Sequence, residues 1–454
     1  MRRSSRRAST RSSLGASGPA PVARLAFCSP LPPEPTGIAD YAVEVLSFLA
    51  PRHEIDVFHG QAVVAPDAIP SGCGVYPAAE LSQRHRDRPY DLAIHQLGNA
   101  RSHAFVYPLL TQRPGLLVLH DLVLHHSRAA MLLDSPAARA YAADPSSAAL
   151  RDGARAGERE YAAEVSYAYP GQAERLVGAH LNTVGDLLPY AFPLFQLPVA
   201  VSRFTAVHNA AMRQAIVSEM PEAAVAQLAM PAVRVPVTPG AAAACRRSLG
   251  IREGELVVGC FGLLTREKRV ETAARAVARA AVDFPALRLL LVGPVAEPER
   301  LEQVLTACGV RERTIVAGRV PLAELAAHIE AADLVLHLRY PTARETSAAL
   351  LRVLAQGRPA VVSDVENFAE IPEDAVVRAD TSDEEGAVTR AILRLAANRA
   401  LRDRLGRRAA AFVEERHSLH EARGSYERAI EAAVAAPAPR PARLPAHWAV
   451  SRSP

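Results

Sequence analysis

Lysine is almost absent from this sequence. Of the 52 lysine and arginine residues only Lys268 is lysine, within the segment GLLTREKRVE. Lysine carries a compact ammonium with three donors on a flexible stem, whereas arginine presents a rigid planar fork. If any cation sufficed at position 268, arginine would be expected there, as at every other basic position. The composition therefore favours an ammonium that contacts an anionic ligand over a solvated surface lysine.

The sequence is also poor in cysteine and in long apolar runs. Its five cysteines show no C-x-x-C spacing and several lie in apolar stretches, which predicts reduced thiols and no metal site. No stretch is apolar over the length of a membrane span, and the arginine-rich residues 1–22 lack the apolar core of a signal peptide. The net charge of +4 is small for this length, which argues against nucleic acid as a partner. We expect a cytoplasmic protein whose disordered basic leader, 1–22, could contact anionic lipid at the inner face of a membrane.

The length and the apolar pattern predict two domains. A chain of 454 residues exceeds the size at which one core stops growing. Apolar runs, glycine-bearing loops and helical patterns alternate twice, which predicts an α/β fold of two Rossmann-like, doubly wound parallel sheets facing across a cleft. The first domain is predicted over 23–238, with a helical addition near 128–178, and the second over 239–423. Residues 424–454 are predicted to be the end of a helix and a proline-rich tail without a core-forming pattern.

Ligands of such sheets bind outside the carboxyl ends of the strands, so we expect anion-binding groups in the loops there. Lys268 follows the strand ELVVGCFG and precedes a helix. Gly37 lies where a loop gives way to a helix whose first amides could face a phosphate. Thr346 and Ser347 begin another helix, where their hydroxyls could add to the backbone donors; a simple N-cap is the alternative that the residues alone favour.

Acidic and histidine side chains fall at the same edge. His120 and Asp121 close the strand GLLVLHD, where the imidazole could hydrogen-bond a sugar hydroxyl and the carboxylate could fix its tautomer. Glu345 could be an ion-paired surface residue or could bind sugar hydroxyls. His125 and His126 are adjacent and cannot share a helical face, which argues against a metal site there.

Four segments in this order resemble glycosyltransferase family 4, over roughly residues 23–423. They are SPLPPEPTGIADYAVEVLSFLA, VLHDL, FGLLTREKR and RYPTARETSAALLRVLAQGRPAVVSDV. The resemblance implies a GT-B fold that holds a nucleotide-sugar donor in the cleft, mainly through the second domain. It also implies transfer with retention of anomeric configuration, without a divalent metal or another cofactor.

The resemblance assigns donor-binding roles to residues of this chain. Lys268 matches the lysine that contacts the donor diphosphate. Gly262 lies in the same segment, and we expect it to belong to the donor-binding site as well. Gly37 matches a glycine loop beside the phosphates. Thr346 and Ser347 fall where a helix N-terminus faces the diphosphate. Stabilising charge that develops on a leaving group is usually the largest catalytic contribution, which would explain why one ammonium is kept.

The sugar-side assignments include two departures from the family. His120, with Asp121 beside it, matches the histidine near the transferred sugar, and Glu345 is the counterpart of the first glutamate of an E-x7-E motif. An arginine that often precedes the lysine is Leu263 here. The second glutamate of the motif, which usually binds the ribose, is replaced here by Arg352. In the alignment that places Arg352 at this position, the first glutamate matches Glu345 only after a shift of one residue. Arg352 could contact a phosphate or face a neighbouring helix.

The sequence therefore predicts a retaining glycosyltransferase that moves a sugar from a nucleotide-diphosphate sugar to a glycan, lipid-linked or other hydroxyl acceptor. A catalytically silent GT-B scaffold is one alternative, because of the two departures. A nucleotide-sugar epimerase of the same fold is another. Three tyrosines in the helical addition could stack on an acceptor sugar, but their spacing favours packing: Tyr161, Tyr167 and Tyr169.

Overall fold

The computed structural model describes residues 23–181 and 187–449, so the predicted basic leader lies outside the described residues. The chain forms two α/β domains, each built on a parallel sheet, as the sequence predicted. The amino-terminal sheet has seven strands in the order β3-β2-β1-β4-β5-β6-β7. These are β1 Arg24–Cys28, β2 Glu54–His59, β3 Gly74–Pro77, β4 Leu92–Leu97, β5 Leu116–Leu119, β6 Phe204–Val207 and β7 Val225–Gln227.

Helices cover both faces of this sheet and add a separate layer. Three of them connect its first five strands: α1 Gly37–Leu49, α2 Leu81–Asp87 and α3 Val106–Gln112. Between β5 and β6 the chain forms α4 His125–Leu133, α5 Pro136–Ala143, α6 Ala148–Ala168, α7 Ala173–Leu181, α8 Leu188–Ala191 and α9 Gln196–Ala200; α10 Ala210–Glu219 follows β6. Tyr161 of α6 is fully buried, and its hydroxyl lies 2.6 Å from Nε2 of His125. This tyrosine packs the helical layer together and does not present its ring to a ligand.

The carboxy-terminal sheet has six strands in the order β10-β9-β8-β11-β12-β13. They are β8 Leu256–Phe261, β9 Leu287–Val292, β10 Thr314–Gly318, β11 Leu334–His337, β12 Ala360–Ser363 and β13 Val376–Ala379. Neighbouring residues of β8 enter different apolar clusters, Val257 one and Val258 the other, because successive side chains of a strand point to opposite faces. The helices of this domain are α11 Ala241–Ser248, α12 Val270–Asp283, α13 Pro298–Ala307, α14 Leu322–Ala331, α15 Ala348–Ala355, α16 Glu384–Ala397 and α17 Arg399–His417.

The last helix, α18 Leu419–Ala435, returns to the amino-terminal domain. It packs against α1 and against strands β4, β5 and β6. The chain therefore crosses back at Ser418, the N-cap of α18, whereas the sequence analysis continued the second domain to residue 423. The crossing was missed because α17 and α18 are both amphipathic helices, and a pattern of apolar residues does not say which sheet a helix covers.

The proline-rich tail packs against the core, although no core-forming pattern was predicted there. Trp448 is buried against Tyr107, with the two rings 5.8 Å apart and nearly perpendicular. Its Nε1 donates a 2.6 Å hydrogen bond to Glu164 of α6, a carboxylate that also pairs with Arg128. One aromatic residue among prolines and alanines produces no periodic pattern, so its burial could not be predicted from spacing.

Candidate functional site

Lys268 lies at the carboxyl edge of the second sheet, as expected. Strand β8 ends at Phe261, and a short 3-10 turn, Arg266–Lys268, leads directly into α12. Within the described ranges, Nζ of Lys268 makes no hydrogen bond or ion pair. Burial, followed by the neighbouring Arg339 cation, lowers the pKa of the ammonium to about 7, while Glu345 acts in the opposite direction. A partly buried cation without a direct partner is suited to receive an anion.

Gly262 leaves open the space beside this ammonium. A Cβ at position 262 would lie 3.9 Å from Nζ of Lys268 and 3.5 Å from the Cβ of Ala349 in the first turn of α15. Its φ of +104° is in the region that favours glycine. The carbonyl oxygen of Gly262 would be 2.0 Å from a Cβ at Gly293, which shows how closely the loops after β8 and β9 pass. Backbone, ammonium and helix N-terminus thus surround one small volume.

The first turn of α15 can offer backbone amides to a ligand, because the hydroxyl groups of Thr346 and Ser347 already take part in hydrogen bonds. Ser347 is its N-cap, and Oγ accepts a 3.4 Å hydrogen bond from the amide of Leu350. This is the capping role that the residue pattern alone favoured. The hydroxyl of Thr346 is also engaged, since Nδ2 of Asn209 in the other domain donates to it at 3.0 Å and to the carbonyl of Arg344 at 2.8 Å. The first amides of a helix have no acceptor within the helix, so they remain the anion-binding groups here.

Glu345 is paired with Arg339, a residue that the sequence analysis did not single out. The guanidinium of Arg339 contacts Oε1 of Glu345, and both side chains are largely buried. The amide of Arg339 also donates to Oγ of Ser363 at 2.9 Å. A signal for Arg339 existed in the sequence, because it follows the strand DLVLHL at its carboxyl end. Glu345 is thus ion-paired, as one of its two predicted roles required, but the pair is largely buried and not on the surface.

Asp121 faces this pair from the amino-terminal domain. Its Oδ2 accepts a 2.7 Å hydrogen bond from the amide of Asn99. Burial, followed by the charge of Glu345, raises the pKa of Asp121 to about 6, while the Asn99 amide and Arg339 act in the opposite direction. The amide of the next residue, Leu122, donates to the carbonyl of Ala343 at 3.0 Å, so the two domains touch here. Two carboxylates and one guanidinium therefore meet across the cleft.

His120 is less accessible than its neighbour. It is buried, and its Nε2 lies 2.8 Å from Oε1 of Gln96. Its ring packs edge-on against Tyr41 at 4.8 Å between centroids and lies 5.0 Å from the ring of His208. Burial, then the charges of His208 and His103, lowers the pKa of His120 well below its usual value, so the imidazole is neutral. A neutral ring held by Gln96 is suited to position a ligand rather than to accept a proton. Asp121 does not fix the tautomer of His120 by any hydrogen bond in the described ranges.

Gly37 is the first residue of α1 and is exposed. Thr36 caps this helix, its side chain accepting from the amide of Ala39 at 3.1 Å. A Cβ at Gly37 would have no atom within 4 Å, so the backbone there is open to solvent. The next residue, Ile38, packs against Gly98 beside Asp121, which places the helix start near the cleft.

Arg352 faces a neighbouring helix, which is one of the two predicted alternatives, and this helix belongs to the other domain. Its Nη2 donates a 2.6 Å hydrogen bond to Oε1 of Glu44, on α1 of the amino-terminal domain. Both side chains are partly exposed, at 22% and 34%. In the family that the sequence resembles, this position holds a glutamate. Here it holds an arginine that forms an ion pair with the other domain.

The described residues offer neither a cluster of metal ligands nor a membrane-spanning helix. Residues 23–181 and 187–449 contain no group of three or more histidine, cysteine, aspartate or glutamate side chains that could hold a metal ion. His125 lies against Tyr161 and donates a hydrogen bond from Nδ1 to the carbonyl of Phe192, while His126 packs on Tyr190. The same ranges contain no helix that is both long enough and apolar enough to cross a membrane.

The carboxy-terminal domain is similar to a known family of enzymes. Residues 243–412 match the family model of the glycosyl transferases group 1. The match spans most of the second domain, including Lys268, Glu345 and Arg352, and supports a glycosyltransferase. No curated protein matches this chain.

The fold as a whole is similar to solved glycosyltransferase structures. A glycosyltransferase from Rickettsia africae is 10% identical over 90% of this chain and 98% of its own, with a TM-score of 0.62. HepE from Anabaena, in complex with UDP and glucose, is 15% identical over 90% and 99%, with a TM-score of 0.60. Sucrose-phosphate synthase from Thermosynechococcus elongatus is 15% identical over 90% and 100%, with a TM-score of 0.59. At these identities the similarity establishes the fold, which is GT-B.

Proposed function

We propose that this protein is a retaining glycosyltransferase that takes a sugar from a nucleotide-diphosphate sugar and passes it to a hydroxyl acceptor. The observation that carries the proposal is Lys268: the chain's one lysine stands partly buried, beside Gly262 and the first turn of α15, in the domain that matches group 1 glycosyltransferases. The complex of HepE with UDP-glucose makes UDP-sugars the first donors to test. We propose no metal or other cofactor.

The chemistry follows from where the positive groups lie. When the bond from the sugar to the diphosphate breaks, negative charge develops on the leaving phosphate. Lys268 and the first amides of α15 converge on the space that Gly262 leaves open, where they would stabilise this charge. Because the site is partly buried, this attraction is stronger than the same contacts would give in water. The loop of Gly37 would approach the phosphates from the other domain.

The sugar would lie on the side of Asp121 and Glu345. Carboxylates accept hydrogen bonds from hydroxyl groups, and the ion pair with Arg339 holds Glu345 in place. His120, neutral and fixed by Gln96, would position the sugar. We assign no side chain as general base, because the departing phosphate itself can take the proton of an acceptor that attacks from the same face.

Calorimetric titration of UDP, GDP and ADP into the wild type and Lys268→Ala tests the proposal. We expect one nucleotide to bind, and the substitution to weaken it by about 1.5 to 3 kcal/mol, as for a hydrogen bond to a charged group. Arg399→Ala is the matched control, since this arginine is 86% exposed and remote from the cleft. Retention would be tested separately, by determining the anomeric configuration of the product by NMR.

Absence of binding by all three nucleotides would favour a catalytically silent scaffold instead. Two departures from the family favour that alternative: Leu263 stands in place of an arginine, and Arg352, which pairs with Glu44, stands in place of a glutamate. Epimerisation or hydrolysis of a donor without an acceptor would favour the epimerase. The acceptor of the proposed enzyme is a glycan, a lipid-linked sugar or another hydroxyl compound. We propose a cytoplasmic site of action, at the membrane's inner face if the acceptor is lipid-linked.

A further inference from the structure

A cavity of about 230 Å³ lies between the two domains, beside the ion pair of Glu44 and Arg352. Its walls are mainly apolar. They come from α14 with Leu322 and Leu325, from the linker with Val233 and Val235, from α1 of the amino-terminal domain, and from α15 and α18. Cavities that bind small molecules are typically apolar, with a few polar groups that fix the orientation of the ligand. The ion pair supplies such polar groups here.

Glu44 has acceptor capacity that the protein does not use. Its Oε1 accepts from Nη2 of Arg352 at 2.6 Å, whereas Oε2 makes no hydrogen bond within residues 23–181 and 187–449. Each oxygen of an ionised carboxylate can accept two hydrogen bonds. Arg352 therefore orients the carboxylate while leaving an oxygen free to accept from hydroxyl groups in the cavity.

The cavity lies one helical turn from the proposed diphosphate site. Ala349 stands against Gly262, next to Nζ of Lys268. Arg352 follows Ala349 by three residues in α15, so the two lie on the same face of the helix, roughly 5 Å apart along its axis. A ligand with its phosphates at Lys268 would thus extend toward Arg352, Glu44 and the apolar walls behind them.

A nucleoside fits this order of chemical groups. With increasing distance from Lys268, the site presents a cation that can bind phosphate, a carboxylate that can bind a diol, and apolar walls that can contact the faces of a flat heterocycle. We propose that Glu44, held by Arg352, binds the ribose hydroxyls of the donor nucleotide, so that the amino-terminal domain supplies the ribose-binding carboxylate. This inference rests on the proposed function and adds a specificity-determining residue to it.

Binding of the nucleoside would depend on the arrangement of the two domains. Glu44 belongs to α1 of the first domain, while Lys268 and Arg352 belong to the second. The nucleoside would contact both domains, so nucleotide affinity would depend on their closure. A contact that serves closure alone would affect every ligand of the cleft, whereas a ribose contact would affect only ligands that carry ribose.

The test uses the nucleotide among UDP, GDP and ADP that the wild type binds. This nucleotide, its 2′-deoxy and 3′-deoxy forms and inorganic pyrophosphate are titrated into the wild type, Glu44→Gln and Arg352→Met. We expect Glu44→Gln to weaken the nucleotide about tenfold, because it removes a hydrogen bond to a charged acceptor, and to leave pyrophosphate within about twofold. At least one deoxy form should bind about tenfold more weakly than the ribonucleotide to the wild type, but equally well to Glu44→Gln. Arg352→Met removes the same ion pair but keeps the carboxylate, so its effect on the nucleotide should be smaller.

Two results would overturn the inference while leaving the transferase proposal intact. The first is equal weakening of nucleotide and pyrophosphate by Glu44→Gln and Arg352→Met, which would make the ion pair a contact between domains only. The second is equal affinity of ribo and deoxy forms for the wild type, which needs no variant and holds even if Glu44→Gln fails to fold. Failure of all three nucleotides to bind the folded wild type would instead overturn the proposed function, and this inference with it.

Discussion

At the scale of single residues, the partly buried ammonium of Lys268 is suited to bind an anion but lowers the stability of the fold. Its pKa of about 7 in the folded protein means that the empty site holds the ammonium only part of the time at neutral pH. A diphosphate binds best to the protonated form. The affinity of the nucleotide should therefore fall as the pH rises above about 7, by up to tenfold per pH unit, until the pKa in the bound state is reached.

Calorimetry between about pH 6 and 9 would measure this dependence. Lys268→Arg is the matched variant, because arginine stays protonated over the whole range and should bind with an affinity that hardly changes. The phosphate of the ligand itself titrates near the lower end, so the comparison of the two proteins is the informative one. Identical pH profiles for wild type and Lys268→Arg would show that Lys268 is not the group that titrates.

The same shift predicts a change in stability. Folding lowers the pKa of Lys268 from 10.5 to about 7, so the folded state favours the neutral amine. The resulting cost is absent above the unfolded value, grows as the pH falls, and is complete below about pH 7. Lys268→Met removes it and should raise the free energy of unfolding at about pH 7 by about 1 to 2 kcal/mol, as is common when a strained functional residue is replaced. Thermal unfolding should show this gain shrinking toward pH 10.5, whereas a constant gain would point to packing alone.

At the scale of elements, the tail beyond α18 is fixed by a buried carboxylate. Glu164 of α6 accepts from Nε1 of Trp448 at 2.6 Å and lies 2.7 Å from Nε2 of His447, in addition to pairing with Arg128. Glu164→Gln leaves the Arg128 cation buried without its counter-ion. Breaking a buried pair in this way costs about 3 to 5 kcal/mol.

Trp448 is the chain's one tryptophan, so its fluorescence reports directly on this contact. We expect Glu164→Gln to unfold at lower denaturant concentration and to shift the tryptophan emission toward the red as the indole meets water. Glu158→Gln, an exposed position on the same helix, is the control and should change neither property. Unaltered emission in a destabilised Glu164→Gln would mean that the tail stays in place without the carboxylate.

The elements show which part of this structure could be predicted from sequence. The strands of both sheets are short apolar runs between glycine-bearing loops, so their period and order predicted two parallel sheets. Residues directly after strands, such as Asp121 and Lys268, could be placed at the cleft for the same reason. Contacts between distant segments could not: the pairing of Glu44 with Arg352, of Asn209 with Thr346, and of Glu164 with the tail depends on how the domains and helices meet.

At the scale of the whole molecule, the two domains share packing as well as a cleft. One apolar cluster includes Leu25 and Phe27 of the first sheet together with Val257 and Phe261 of the second, and α18 joins it through Tyr426. The hydroxyl of Tyr426 also lies 2.6 Å from that of Tyr41. This shared core holds the two domains together, and opening of the cleft would also break polar contacts between them.

Asn209 makes polar contacts between the domains that a single substitution can remove. Its side chain donates to Arg344 and Thr346, and the amide of the next residue, Ala210, donates to Glu370. Asn209→Ala leaves the backbone bond but deletes both side-chain bonds, each worth about 0.5 to 1.5 kcal/mol. We expect the population of the closed form to fall by about tenfold relative to open forms, because the two losses together approach the 1.4 kcal/mol of a tenfold change.

Small-angle scattering would then show a larger radius of gyration for Asn209→Ala than for the wild type. Saturation with the bound nucleotide should bring the two values together, since a ligand that contacts both domains favours the closed form. Gln214→Ala is the control, because this residue lies on the same helix and, within the described residues, its side chain hydrogen-bonds only Ser218 on that helix.

Asn209 also caps α10, because its Oδ1 accepts a hydrogen bond from the amide of Met212. Asn209→Asp keeps this cap and removes the donor, so it separates closure of the cleft from stability of the helix. If Asn209→Asp scatters like the wild type while Asn209→Ala does not, loss of the cap, and not of the contacts between domains, explains the change.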